Sequence, residues 1–217
     1  MIEAPLAPHS ARVAARLGIV RRQEGLDGVA LTFDDGPHPQ GTPLILEALR
    51  EAGAPATFFL AGEQVERRPA LAAEIVAAGH RVGLHCHRHR SALRLTRRQF
   101  AADAERGRAA IEEASGEAIG DHRPPYGIYT GAALRSVRER GWRPVLWSRW
   151  GRDWRGAATG RSIARLATGS ARAGDVLLLH DADYYSTPGS WARTLAALPI
   201  IVEELASGGL KIASLRR

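Results

Sequence analysis

The stretch Val29-Ala30-Leu31-Thr32-Phe33-Asp34-Asp35-Gly36-Pro37 places two adjacent carboxylates at the end of a run of apolar residues. The apolar run predicts a buried strand that a Gly-Pro turn brings to an end. A carboxylate is costly to bury without a partner, and neighbouring side chains of an extended chain point to opposite sides. We therefore expect Asp34 and Asp35 to have different partners, so that one can hold a metal ion while the other handles a proton. A solvated Asp-Asp turn is the alternative.

Outward from this stretch, predicted strands and helices alternate along the whole chain. Further apolar runs predict strands at 56–60, 81–85, 144–147, 175–179 and 211–213. Helices are predicted at 9–22, 42–52, 69–78, 96–115, 131–140, 161–171 and 190–206, and Pro199 is expected to kink or break the last of them. Continuous apolar strands that alternate with helices are typical of a parallel sheet covered by helices. The sequence therefore predicts one α/β domain over residues 1–217, with residues 1–28 as an N-terminal extension packed on it.

Composition argues against several classes of protein. The 217 residues carry a net charge of +7, and all 30 basic residues except Lys211 are arginines, which are scattered along the chain. Nucleic-acid binding is therefore not favoured, whereas an anionic polymer or a phosphorylated substrate would suit the charge. The single cysteine, Cys86, excludes an internal disulfide. No transmembrane helix and no signal peptide are visible in the sequence, which predicts a cytoplasmic protein.

A histidine-rich segment, His85-Cys86-His87-Arg88-His89, follows the predicted strand at 81–85. His85 and His89 are four residues apart and share a face in a strand or in a helical turn. Neutral imidazoles together with a carboxylate suit a divalent metal, with zinc preferred. His87 faces the same way as His85 in an extended chain, so its participation stays open, whereas Cys86 points away. A polar, histidine-rich loop is the alternative interpretation.

The remaining polar residues of interest fall at the same end of the predicted sheet. In parallel α/β folds, the functional site forms where strands deliver their C-terminal ends. Asp153 and His180 come after predicted strands in this way, as Asp34, Asp35 and His85 stand at the ends of theirs, and Arg123, in the loop after the helix at 96–115, is placed with them. We therefore expect these side chains to meet in one site.

Motifs around these residues resemble the polysaccharide deacetylases, the family-4 carbohydrate esterases, from Val29 to the C-terminal helix. The motifs occur in the order Thr32-Phe33-Asp34-Asp35-Gly36-Pro37, His85 to His89, Arg123-Pro124-Pro125-Tyr126, Asp153-Trp154 and Leu178-Leu179-His180-Asp181. The resemblance implies a distorted (β/α) barrel with about seven parallel strands, fewer than a complete eight-stranded barrel has. It also implies hydrolysis of the N-acetyl group of an amino sugar, which releases acetate and a free amine.

The resemblance further implies a metal centre with a catalytic base beside it. Asp35, His85 and His89 are implied as ligands of one divalent metal. Zinc is favoured, and cobalt, nickel or manganese could occupy the same ligands. Asp34 is implied as the base, held by an ion pair with Arg123.

The other implied roles concern the leaving group and the substrate. The resemblance implies that His180 is the general acid and that Asp153 tunes it. It implies that the backbone N–H of Tyr126 donates to the oxyanion. Leu178 and Trp154 are implied to form the wall of a small apolar pocket for the acetyl methyl group.

Some residues depart from the family pattern, and they lie around the expected substrate groove. Trp150 stands where a second Asp is common, and its ring could stack on a sugar or an apolar aglycone, or be a structural core residue. Tyr184 and Tyr185 follow His180, where substrate-contacting loops lie. These departures favour unchanged chemistry on an unusual substrate, such as a small glycoside or a lipid-linked sugar. The alternatives are an O-acetyl esterase or non-sugar amide hydrolase with the same site, a carbohydrate-binding relic, and a basic nucleic-acid binder.

Overall fold

The structure is a computed structural model that describes residues 10–216, and its strands form one sheet. The strands are β1 (Val29–Asp34), β2 (Thr57–Ala61), β3 (Arg81–Cys86), β4 (Asp121–His122), β5 (Arg143–Pro144), β6 (Arg149–Trp150), β7 (Val176–His180) and β8 (Ile212–Ala213). Seven of them follow the order β5-β4-β3-β2-β1-β7-β6, and β8 pairs with the beginning of β1. All pairings between these strands are parallel.

The sheet is curled into a half-barrel, and the fully buried strand β1 lies in its interior between β2 and β7. On one side β1 pairs with β7, from Ala30 opposite Val176 to Asp34 opposite His180. On its other side β8 pairs with its first residues and β2 pairs with its last residues. The predicted α/β class and the distorted (β/α) barrel are confirmed. The stretch that begins at Val29 is the strand around which the sheet is built.

Eight α-helices lie within residues 10–216 and cover the sheet. They are α1 (Ala11–Arg16), α2 (Gly41–Glu51), α3 (Gly62–Arg67), α4 (Pro69–Ala77), α5 (Arg97–Ser115), α6 (Gly131–Glu139), α7 (Gly160–Thr168) and α8 (Ser190–Ser207). Thr96 is the N-cap of α5, as the sequence predicts, because its hydroxyl accepts the backbone N–H of Gln99. Short 3₁₀ turns occur at Ala92–Arg94 and Pro125–Gly127.

Local structure differs from prediction at several positions, and the helix predicted at 9–22 is helical only over Ala11–Arg16 within the described residues. The run 144–147 is not one strand, since only Arg143 and Pro144 pair with β4 and the chain pairs again at Arg149–Trp150. Of the kink or break predicted at Pro199, the break is wrong, because α8 continues through this residue while packed on α7 and α2. Helix α3 was not predicted, because Val65 is its only large apolar residue and no side chain caps its start.

The segment before β1 packs into the same core as the sheet. Ala14 of α1 and the following residues Leu17, Ile19 and Leu26 are buried in one cluster with the side chains of β1. Residues 1–9 of the predicted N-terminal extension lie outside the described residues. Between residues 10 and 216, no helix combines the length and the apolar character needed to cross a bilayer.

Candidate active site

Side chains from the C-terminal ends of several strands line one cavity of about 260 Å³. The lining consists of Asp34, Asp35, His85, His89, Tyr126, Gly127, Trp147, Trp150, Trp154, Leu178, His180, Tyr185 and Ser186. Parallel strands deliver their ends to one edge of the sheet, so residues distant in sequence meet here. Every site residue predicted from the sequence lines the cavity except Arg123 and Asp153. These two are fully buried and hydrogen-bond to Asp34 and His180.

Asp35, His85 and His89 form a compact group in which one potential ligand atom of each lies within 4.8 Å of the others. Asp35 Oδ1 lies 3.3 Å from His85 Nε2 and 3.5 Å from His89 Nε2. Among the described atoms, this buried carboxylate oxygen has no hydrogen-bond partner. Burial alone would raise the pKa of Asp35, but the nearby imidazoles lower it to about 2. A charged, unpartnered oxygen facing two imidazole nitrogens fits the ligand set of a divalent cation.

The two imidazoles of this group are held in different ways. His85 Nδ1 donates to the backbone oxygen of Arg123 at 2.8 Å, which directs Nε2 toward Asp35. His89 Nδ1 is buried and has no hydrogen-bond partner among residues 10–216. The His89 ring stacks instead on Tyr185, with ring centroids 4.2 Å apart. Burial lowers the pKa of His89 to about 4, which makes it a neutral imidazole at neutral pH.

Among the described residues, His87 lies outside this group. Strand β3 ends at Cys86, and Asp103 accepts the backbone N–H of His87. The His87 ring lies near α3, with Nε2 3.9 Å from Glu66. The extended strand that would place His87 on the same side as His85 therefore ends at Cys86, one residue before His87. Cys86 is buried, and burial raises the pKa of its thiol well above the ordinary value, which disfavours a thiolate ligand.

Asp34 is the last residue of β1, and its carboxylate forms a buried ion pair with Arg123. Arg123 Nη1 donates to Asp34 Oδ1 at 2.7 Å and to Thr32 Oγ1 at 2.9 Å. Its Nη2 donates to the backbone oxygen of Leu146 at 3.1 Å, and its guanidinium lies 4.0 Å from the ring centroid of Phe59. The adjacent carboxylates thus have different partners, as expected for a strand end.

His180 and Asp153 form a second charged pair at the cavity. His180 Nδ1 lies 2.9 Å from Asp153 Oδ1, and the backbone N–H of His180 donates to Asp153 Oδ2 at 2.7 Å. The Thr194 hydroxyl of α8 donates to the same Oδ2 at 2.7 Å. Burial alone would lower the pKa of His180, but the charge and hydrogen bond of Asp153 raise it to about 10. His180 is therefore a protonated imidazolium at neutral pH.

Three tryptophans form an aromatic wall beside this pair. Trp147 and Trp150 have ring centroids 5.8 Å apart, and Trp150 and Trp154 have centroids 5.2 Å apart. Trp154 meets His180 edge to face, at 5.7 Å between centroids. Leu178 lies on the same cavity lining. The wall offers an apolar surface directly beside the imidazolium.

Tyr126 lies at the rim of the cavity in the 3₁₀ turn Pro125–Gly127. Its side chain is 59% exposed, and its φ of 61° is left-handed, which is uncommon for a residue other than glycine. Its ring lies edge-on against His89, with centroids 4.7 Å apart. The backbone N–H of Tyr126 as an oxyanion donor stays a prediction.

Comparison with known proteins gives the family of the chain. A family model described as polysaccharide deacetylase matches residues 22–145, more than half of the chain. The chain belongs to the polysaccharide deacetylase family. A peptidoglycan-N-acetylglucosamine deacetylase of Bacillus cereus is 34% identical over 189 residues, which cover 86% of this chain and 85% of the relative. A chitooligosaccharide deacetylase of Sinorhizobium fredii is 36% identical over 203 residues, which cover 91% and 94%.

Solved structures extend this likeness beyond the residues that the family model matches. A family 4 carbohydrate esterase from Streptomyces lividans, in complex with acetate, has a TM-score of 0.79 and is 32% identical. The match covers 88% of this deacetylase-family chain and 95% of the esterase. The resemblance to family-4 carbohydrate esterases predicted from the motifs is thus confirmed.

Asp181 is a buried residue of the polysaccharide deacetylase fold for which no role was predicted, although it ends the fifth motif. The Thr42 hydroxyl donates to its carboxylate, and burial raises the pKa of this carboxylate to about 7. A side chain at Gly36 would meet the Asp181 carboxylate at 2.2 Å, so only glycine fits there. Asp181 therefore packs the fifth motif against the first. The signal available in the sequence was an acidic residue that directly follows the apolar strand and His180 in the fifth motif.

Proposed function

We propose that this chain is a metal-dependent deacetylase that hydrolyses the N-acetyl group of an amino sugar. The observation that carries the proposal is the meeting of three units at one cavity: the Asp35 group, Asp34 bonded to Arg123, and His180 bonded to Asp153. Amide hydrolysis requires an activated carbonyl, a base for the attacking water and an acid for the departing nitrogen. Each requirement has a candidate here.

Asp35, His85 and His89 would hold the cation. Their one carboxylate and two imidazoles favour zinc, and cobalt, nickel or manganese are alternatives. Three protein ligands leave coordination positions for water and substrate. When bound, such a cation polarises a carbonyl group and lowers the pKa of a coordinated water molecule.

Asp34 is the proposed general base, which accepts a proton from the attacking water. Its Oδ1 is bonded to Arg123 at 2.7 Å, which holds the carboxylate in one orientation. The water oxygen forms a bond to the acetyl carbon, and negative charge develops on the former carbonyl oxygen. The backbone N–H of Tyr126 is the proposed donor to that oxygen, an interaction typically worth about 3–4 kcal/mol.

His180 is the proposed general acid, which protonates the amine nitrogen as the C–N bond breaks. Asp153 holds Nδ1 of the imidazolium and raises its pKa, so the proton on Nε2 is available for transfer. Leu178 and Trp154 would enclose the acetyl methyl group, and Trp150 would contact the sugar. The products are acetate and a free amino sugar.

The relatives support an acetylated amino sugar as the substrate class. They are named for deacetylation of peptidoglycan N-acetylglucosamine and of chitooligosaccharides. The esterase of similar structure was solved with acetate. The completeness of the charged set argues against a binding relic, since each proposed proton-handling group retains its partner.

Acetate release tests this function directly. We would assay the purified protein on an N-acetylglucosamine oligomer as isolated, after chelation and after zinc is restored. Activity that chelation abolishes and zinc restores is expected, and an O-acetylated sugar tested in parallel separates amidase from esterase activity. Retention of full activity without bound metal would contradict the proposal.

The variant Asp34→Asn tests the base in the same assay. We expect kcat to fall by about 10²–10⁴-fold while metal content is unchanged, because Asn cannot accept the proton. A near-wild-type rate with metal bound would show that Asp34 is not the base. Thermal melting is the control for folding, because the substitution leaves the buried Arg123 without its anionic partner.

A further inference from the structure

Tyr185 occupies a position that the proposed chemistry does not use, yet it touches a proposed metal ligand. Its ring stacks on the His89 imidazole with centroids 4.2 Å apart and an angle of 12° between the ring planes. The opposite case is His85, whose orientation is set by a hydrogen bond from Nδ1 to the Arg123 backbone oxygen. His89 Nδ1 has no such partner within the described chain. Something other than a hydrogen bond must therefore orient His89.

We propose that Tyr185 is a positioning residue for the metal centre: its ring holds the His89 imidazole in place by stacking. Parallel stacking holds the imidazole in a plane parallel to the phenol ring, and in this orientation Nε2 lies 3.5 Å from Asp35 Oδ1. Tyr126 is a second aromatic contact of His89, edge-on, with ring centroids 4.7 Å apart. Two aromatic rings thus replace the hydrogen bond that commonly fixes a metal-binding histidine.

Tyr185 can act in this way because its own ring is anchored at the far end. The Tyr185 hydroxyl donates to Glu63 Oε1 at 2.7 Å and accepts from Gln64 Nε2 at 3.2 Å. Both partners belong to α3, which begins immediately after β2. Burial raises the pKa of the Tyr185 phenol well above its ordinary value, so the hydroxyl remains a neutral donor. The stacked ring is therefore tied to a helix, although it belongs to a loop.

The size of the effect follows from the behaviour of metal sites in general. Loss of a group that orients a ligand typically weakens metal binding by about 10–100-fold. A stacked aromatic pair contributes about 0.5–1.5 kcal/mol beyond its buried area, which corresponds to a factor of about 2–12. We therefore expect Tyr185→Leu to weaken zinc affinity by about tenfold. Tyr185→Phe keeps the ring and loses only its anchor, so a smaller loss is expected.

The test is zinc affinity, measured by competition with a chromophoric chelator, together with the visible absorption spectrum of the cobalt-substituted protein. Tyr184→Leu is the matched control, since Tyr184 is the preceding residue and its ring lies against His38, 5.1 Å between centroids. We expect Tyr185→Leu to weaken zinc binding and alter the cobalt spectrum, and Tyr184→Leu to leave both near wild type. Thermal melting of the metal-free variants shows whether each is folded.

This inference rests on the proposed metal site, and the outcomes separate the two. If wild-type protein binds neither zinc nor cobalt, the proposed metal centre fails. If wild type binds metal and Tyr185→Leu binds it equally well with the same spectrum, the positioning role is overturned. It is also overturned if Tyr184→Leu weakens zinc binding as much as Tyr185→Leu, because the loop as a whole would then be responsible.

Discussion

His89 and His180 line the same cavity, and burial opposes the charged form of both, yet the pKa values of their imidazoles are shifted in opposite directions. Burial lowers the pKa of His89 to about 4. At His180 the same penalty is outweighed by Asp153, and the pKa rises to about 10. The two residues differ in what Nδ1 meets. His180 Nδ1 faces a carboxylate oxygen at 2.9 Å, whereas His89 Nδ1 has no partner in the described chain.

The difference shows that the partner, and not the depth of burial, decides what a buried histidine can do. An imidazole bonded to a carboxylate keeps a second proton and can give it away. An imidazole packed between aromatic rings loses that proton and offers a lone pair. Two histidines of one cavity therefore have different proposed roles, one as a metal ligand and one as an acid. In other enzymes, two carboxylates of one active site differ in the same way because their environments differ.

The sharpest test of this contrast is the pair of variants His89→Gln and His180→Gln. We expect both to lose acetate release by about 10²-fold or more, because one loses a ligand and the other loses the acid. Elemental analysis should separate them, with metal content reduced in His89→Gln and unchanged in His180→Gln. Metal loss in His180→Gln would mean that the two imidazoles do not have separate roles.

Asp153→Asn should make the His180 imidazole more like that of His89, which is neutral at neutral pH. With the Asp153 carboxylate removed, burial is offset only by the charges of Asp35 and Asp34, so the pKa of His180 should fall below its wild-type value. The acid must be protonated to act, so activity is lost as pH rises through that pKa. We therefore expect the alkaline limb of the kcat/KM profile to move to lower pH. An unchanged limb in a folded, metal-loaded variant would show that Asp153 does not set the protonation of His180.

The strands that carry this cavity were largely predictable from the sequence. β1, β2, β3 and β7 are continuous apolar runs, and their residue types alone favour buried parallel strands. Strand β4 was missed because its two residues, Asp121 and His122, are polar, although both are buried. The strand predicted at 144–147 was too long, because Val145, Leu146 and Trp147 are buried but do not continue the pairing of β5 with β4. Apolar character predicts burial more reliably than it predicts a ladder of hydrogen bonds.

The site was predictable as a set of residues, but not as a set of contacts. Asp34, Asp35, His85, His89 and His180 all lie at or just after the C-terminal ends of strands, so their convergence follows from the topology. The contact between Tyr185 and Glu63 joins residues 122 positions apart and depends on α3, which has no clear sequence signal. The position of His87 depends on where β3 ends. Such details are set by tertiary packing, and one sequence contains no local pattern for them.

The smallest expected effect concerns the aromatic wall on the His180 side. The Trp150 ring packs on Trp154, which in turn meets His180, and the Arg152 guanidinium lies 4.8 Å from the Trp150 ring centroid. We expect Trp150→Leu to raise KM for an N-acetylglucosamine oligomer about two- to tenfold, the range expected for one lost aromatic contact. The alkaline limb of the pH profile should not move, because Asp153 still holds His180. Acetanilide, which has the amide and lacks the sugar, is the matched substrate on which the same variant should behave as wild type. An equal rise in KM on both substrates would mean that Trp150 supports the cavity as a packing residue, and a shifted limb would mean that it acts through His180.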